Sequence, residues 1–220
     1  MLKTPFVLVN FKAYKEATGK QAMILAKACD RAAKETNANI AIAPQLLDIE
    51  RIYEVVDIPI VAQHVDPINL GKHTGFILPE AVRSAGAIGT LINHSEHPVR
   101  FIDIEKTIER CIETGLKSIV CAPNSADARL IDALQPNFIA IEPPELIAGR
   151  ISVSKAKPHI IQNIAKYLKT PLLVGAGIHN SKDIKLAIDL GAKGVLLSSA
   201  VVKARKPKDA LVMIVKDVMK

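Results

Sequence analysis

The sequence predicts an α/β protein folded as a closed (β/α)8 barrel, one domain over residues 1–220. Two observations carry this. Eight short runs rich in β-branched residues alternate with stretches whose apolar residues recur every three or four positions, which implies βα units and a parallel sheet. Runs such as Phe6-Val7-Leu8-Val9 and Val195-Leu196-Leu197 are apolar without alternation, as parallel strands buried on both faces should be. Eight units in 220 residues suit a compact closed barrel better than an open doubly wound sheet. No linker, low-complexity stretch or convincing internal repeat divides the chain.

The expected strands run Phe6 to Asn10, Asn39 to Ala43, Ile58 to Gln63, Gly89 to Asn93, Lys117 to Cys121, Phe138 to Glu142, Pro171 to Gly175 and Gly194 to Ser198. Between them lie helical patterns. Gly19 to Lys34 carries a stripe of Ala22, Leu25, Ala26 and Cys29. Asp103 to Thr114 carries Ile104, Ile108, Cys111 and Ile112. Lys182 to Leu190 stops at Gly191, a suitable C-cap, and Ala210 to Met219 closes the chain.

Composition narrows the function. Hydrophobic residues make up 49% and charged residues 23%, enough for a sizeable core. No apolar run approaches the roughly 18 residues of a spanning helix, and the apolar stretch after Pro5 is too short for a signal peptide, so a cytoplasmic protein is expected. Cys29, Cys111 and Cys121 form neither a disulfide framework nor a metal spacing; they are expected as buried reduced thiols. The net charge of +7 would suit nucleic acid, but aromatics are 4% and Trp is absent, so platforms for stacking bases are scarce. A basic enzyme that attracts anionic metabolites fits better. A mean hydropathy of +0.22 is high for a soluble monomer and points to apolar surface buried between subunits.

In such a barrel the active site sits at the C-terminal ends of the strands. The first strand ends Asn10-Phe11-Lys12, and an Asn and a Lys two apart project to one side; the Lys could meet a phosphate or a developing oxyanion. The fourth ends Asn93-His94-Ser95-Glu96-His97. A His at the start of a helical turn sits in a positive field that favours the neutral ring, which can donate a hydrogen bond to a carbonyl. A metal site on His94, Glu96 and His97 and a purely structural His are the rival readings; the His-x-x-x-His spacing is missing. The sixth strand ends at Glu142 before Pro143-Pro144. Burial there would raise its pKa and make it a better base, and residues 143–150 read as a lid. The seventh ends Gly175-Ala176-Gly177-Ile178, with Asn180 or Ser181 as the next helix cap. This is half of a dinucleotide fingerprint, and a reasonable N–H nest for one phosphate. The eighth ends Ser198-Ser199-Ala200, small residues that allow a phosphate to approach helix-start N–H groups.

With these residues in order, the chain resembles the triosephosphate isomerases in their short, archaeal-type form, over essentially its whole length. The resemblance rests on Asn10-Phe11-Lys12, Gln63-His64-Val65-Asp66, His73-Thr74-Gly75, Asn93-His94-Ser95-Glu96, Glu142-Pro143-Pro144-Glu145-Leu146-Ile147, Ser152 to Pro158 and Gly175-Ala176-Gly177-Ile178. It implies conversion of D-glyceraldehyde 3-phosphate to dihydroxyacetone phosphate without a cofactor. Glu142 would be the base, neutral His94 the electrophile and Lys12 the cation, with Asn10 helping to hold the oxyanion and Glu96, beside Ser95, orienting Lys12. The phosphate would rest near Ile147, Ala148, Gly177, Ser198 and Ser199. The Thr74 loop would be a subunit contact in a homodimer or homotetramer. The chain departs from the family at the lid tip, Ala148-Gly149-Arg150, and at Ala200, where Gly is usual. Phosphoribosyl isomerase-like enzymes and non-catalytic barrels remain as alternatives; the first resemble only the ends of the seventh and eighth strands.

Overall fold

The computed structural model describes residues 2–142, 158–175 and 177–216. Eight parallel strands appear where the sequence places them: β1 (Phe6–Asn10), β2 (Ile40–Ala43), β3 (Val61–Ala62), β4 (Gly89–Ile92), β5 (Lys117–Ala122), β6 (Phe138–Ile141), β7 (Leu172–Val174) and β8 (Gly194–Leu197). Their order is β2-β1-β8-β7-β6-β5-β4-β3, and the parallel bridge Ile42–Ile60 joins the two ends of that row into a ring. The helices around it are α1 (Lys20–Thr36), α2 (Ile49–Tyr53), α3 (Pro79–Ser84), α4 (Phe101–Thr114), α5 (Ser125–Asp132), α6 (Pro158–Tyr167), α7 (Ser181–Asp189), α8 (Ser199–Val202) and α9 (Pro207–Val215). None of these is long and apolar enough to cross a membrane.

Strand parity explains why both faces are apolar. Phe6 and Leu8, Ala41 and Ala43, Leu91, Ile119 and Cys121, Phe138 and Ala140, Leu173 and Leu196 form one buried cluster inside the ring. The intervening residues, among them Val7, Val9, Ile40, Ile42, Ile139, Ile141 and Val195, pack outward with the helix faces. Phe6 and Phe138 meet edge-to-face in the interior, centroids 5.3 Å apart. Continuing the parity one step carries Asn10, Glu142, Gly175 and Ser198 to the inner side of the ring, above Leu8, Ala140, Leu173 and Leu196. The barrel floor is thus filled, and the next layer is polar.

Several boundaries differ from expectation. β3 keeps only two residues; Pro59 before it has no N–H for the ladder, and the Gln63 side chain after it donates to the Lys12 and Ala43 carbonyls. Helix α4 starts at Phe101, two residues early, and Ile112 is 72% exposed rather than buried. The buried stripe is Ile104, Thr107, Ile108 and Cys111; a residue next to Cys111 stands about 100° around the helix from it. Helix α9 begins at Pro207, whose fixed φ suits a first helical position, rather than at Ala210. Asn180 caps α7 in a reciprocal pair with Asp183, and Gly191 follows it with φ of 104°.

Candidate active site

The pocket at the C-terminal end of the barrel is lined by Asn10, Lys12, Tyr14, His94, Glu142, Gly175, Gly177, Ile178, His179 and Leu196 to Ala200. Residues from five separate strand ends, those of β1, β4, β6, β7 and β8, thus meet in one place. Each is held by its own local chemistry.

Lys12 follows β1 with a positive φ of 50°, a conformation L-residues adopt reluctantly. Neighbours over-determine it: its N–H donates to Asn10 Oδ1 at 2.9 Å, and its carbonyl accepts from Gln63 Nε2 at 3.1 Å. The ammonium donates to Glu96 Oε1 at 2.7 Å. Asn10 is itself buried. Backbone strain therefore aims the cation, and Glu96 steadies it.

His94 is buried and opens a turn, as expected from sequence, though that turn is a single one. The residues after it form a single turn, His97 N–H to His94 carbonyl at 2.7 Å, and α4 begins only at Phe101. Its pKa is lowered first by burial and then by the Lys12 charge, against a smaller pull from Glu96. The backbone N–H of Glu96 donates to His94 Nδ1 at 3.1 Å. An acceptor Nδ1 leaves the proton of the neutral ring on Nε2. That nitrogen lies 3.6 Å from Glu142 Oε2. Asn93 braces the turn, donating to the Cys121 carbonyl and accepting from Val99 N–H.

Glu142 is 4% exposed. Burial pushes its carboxyl up to about 7; the Cys121 thiol and the Lys12 charge pull the other way. Its Oε2 is buried without a hydrogen-bond partner among the described residues. Such an oxygen is available to a substrate proton. Gly175 makes the room: a methyl group there would collide with the carboxylate and with Cγ of Glu142. The Cys121 thiol, itself buried, is held well above its ordinary pKa by burial and by Glu142.

The β7 and β8 ends supply small residues. Gly177 has a φ of 69°, in the region that favours glycine. Ser198 Oγ is buried and, among the described residues, unpartnered. Ser199 opens α8. Lys12, His94, Glu142, Asn10, Gly177, Ser198 and Ser199 therefore line one pocket, as the sequence implied. Ser95 does not join them; it is exposed on the turn, its side chain without a hydrogen bond among the described residues. Ile147, Ala148 and the rest of the expected lid lie outside the described residues. Among the described residues, no three His, Cys, Asp or Glu side chains converge as metal ligands, so His94, Glu96 and His97 do not form the rival metal site.

Sequence reading did not single out Cys121 as a neighbour of Glu142, Gly175 as the space for its carboxylate, or Tyr14 and His179 as pocket wall. Parity could have found the first two, since Cys121 and Gly175 sit at inward positions beside β6.

Comparison with known proteins agrees with the geometry. The family model described as triosephosphate isomerase matches residues 5–218. A triosephosphate isomerase of Methanothermobacter thermautotrophicus is 46% identical over 220 residues, covering 98% of this chain and 96% of its own. One from Methanocaldococcus jannaschii is 43% identical, covering 96% and 98%. A crystal structure of triosephosphate isomerase from Bartonella henselae shares the fold with a TM-score of 0.71 at 17% identity, covering 95% of this chain and 97% of that one. This chain belongs to the triosephosphate isomerase family.

Proposed function

We propose that the pocket interconverts D-glyceraldehyde 3-phosphate and dihydroxyacetone phosphate by proton transfer through an enediolate. The observation that carries this is the meeting of three groups: a buried carboxylate with a free oxygen, an imidazole with its proton on Nε2, and an aimed ammonium. Glu142 takes the proton from the carbon beside the carbonyl. The His94 Nε2–H donates to the carbonyl oxygen as it gains charge, and Lys12 opposes that charge. Glu142, now protonated, returns the proton to the neighbouring carbon, while the hydroxyl proton moves between the two oxygens. Aldose becomes ketose with no net gain or loss of atoms. Asn10 supports the oxyanion side through its contact with the Lys12 backbone.

Gly177, Ser198 and Ser199 take the phosphate, through backbone N–H groups and the unpartnered Ser198 hydroxyl. Ile147 and Ala148 keep the phosphate role the family resemblance gives them. A phosphoribosyl isomerase-like reaction or a non-catalytic barrel would not need Lys12, His94 and Glu142 together.

The chain works as a homo-oligomer, dimer or tetramer, in the cytoplasm. In support, Leu70 and Phe76, 74% and 57% exposed, flank Thr74 on the expected contact loop. Light scattering checks the assembly. Glyceraldehyde 3-phosphate turnover, coupled to detection of dihydroxyacetone phosphate, tests the activity: steady product formation is expected, and none by the folded protein would overturn it.

A further inference from the structure

Tyr14 lines the pocket, and the exposed Lys203 reaches over its ring from the end of α8; neither has a role in the chemistry above. The Tyr14 ring is pocket wall alongside Ser198, Ser199 and Ala200. Its loop is fixed: the Tyr14 carbonyl accepts from Ala17 N–H and from Thr18 Oγ1, both at 2.9 Å, and Gln45 Nε2 donates to the same Thr18 hydroxyl. The ring also packs on the outer core. Over its face sits Lys203 Nζ, 4.1 Å from the centroid. Lys203 is held at its other end too, since its N–H donates to the Ser199 carbonyl at 3.1 Å. No carboxylate pairs with Lys203 among the described residues.

The consequence is electrostatic. An ammonium held on a ring that is itself pocket wall adds positive potential beside Ser198 and Ser199. The ring restrains it, where a free lysine would wander through solvent. A cation in that place discriminates between ligands by charge, and it acts on approach and retention more than on chemistry.

We propose that Tyr14 and Lys203 form a selectivity pair for the phosphate dianion, Lys203 supplying the charge and Tyr14 fixing its position. This rests on the phosphate reading of Gly177, Ser198 and Ser199. It extends that reading with a side-chain cation that neither the family comparison nor the strand ends assign. The pair binds and positions; it does not touch the reacting carbons.

The test compares Lys203→Met, Tyr14→Leu and Tyr14→Phe with wild type on glyceraldehyde 3-phosphate and on phosphate-free glyceraldehyde. Thermal midpoints are taken on the same preparations. Lys203→Met is expected to lower kcat/KM for the phosphorylated substrate about tenfold at low salt, with the loss in KM and shrinking as salt rises. Inhibition by inorganic phosphate should weaken in parallel, and glyceraldehyde should suffer far less. Tyr14→Leu should resemble Lys203→Met, and Tyr14→Phe, which keeps the ring, should stay near wild type. Equal losses on both substrates, or losses that track a lower midpoint, would overturn the proposal and make the pair a structural clasp. So would an unchanged KM in Lys203→Met. Wild-type turnover of glyceraldehyde 3-phosphate, measured first, separates failure of this inference from failure of the proposed function.

Discussion

The pocket has two unlike halves. The side built on β1, β4 and β6 presents large titratable groups, Lys12, His94 and Glu142, each aimed by strain, a backbone N–H or a glycine opposite. The side built on β7 and β8 presents Gly177, Ser198 and Ser199, small residues that form the proposed phosphate subsite. In the proposed mechanism the first side acts through a few side-chain atoms that no substitution replaces, and the second through N–H groups that most side-chain changes leave in place. The halves should therefore break differently.

The largest effect is expected at Lys12. Lys12→Met should nearly abolish kcat/KM, because the pocket would then hold Glu142 and an anionic substrate with no cation between them, and Coulomb terms in a water-poor pocket are large. The thermal midpoint should move little, since Met keeps the apolar stem. Parallel kinetics and thermal melts check this; activity that falls only in step with stability would make Lys12 structural.

Gly175 links the halves, and Gly175→Ala sharpens the contrast. Its methyl would collide with the Glu142 carboxylate, and displacing a reacting group by ~1 Å can cost on the order of 10²-fold in kcat. A crystal structure of the variant should show Glu142 moved. Native kcat would mean the carboxylate need not stand where it is.

The pH profile probes the first half alone. Glu142 must be ionised to accept a proton, and its carboxyl is pushed up to about 7 by burial. The kcat/KM of the free enzyme should rise with pH through that value and then level. His94, lowered in pKa by burial, adds no step above it. The same shift costs stability. Glu142 ionises at higher pH in the folded chain than in the unfolded one, so stability falls as pH rises from its ordinary range to about 7. Glu142→Gln should accordingly raise the midpoint more at pH 8 than at pH 5.

The smallest effect belongs to the second half. Ser198→Ala removes one hydroxyl and leaves the N–H groups, so a KM increase of a few fold is expected, about the worth of one hydrogen bond. A hundredfold loss would show that this half also depends on a single side chain.

The sequence carried most of this difference. Lys12, His94 and Glu142 each follow an apolar run, and eight runs in 220 residues imply a ring that brings their ends together. It did not carry what depends on contacts between distant strands. His94 does begin a turn, as its sequence position suggests, but burial and a lysine that follows β1, which lower its pKa, are contacts that the local sequence does not display. Lys203 lies beyond the motifs, and nothing local announces that it spans from the β8 end to a ring in the β1 loop. Ile112 misled because it neighbours the buried stripe of α4 in sequence while facing solvent in space.

The central claim is that Glu142 shuttles the proton. Glyceraldehyde 3-phosphate turned over in D2O by wild type and by Glu142→Asp tests it most directly. Solvent exchange at the protonated carboxyl should place deuterium on the carbon newly protonated in the product. Retracting the carboxylate by one methylene should slow turnover and deuterium incorporation together by on the order of 10²-fold, with the fold intact. A folded Glu142→Asp protein that turns over and incorporates deuterium at wild-type rates would contradict the account.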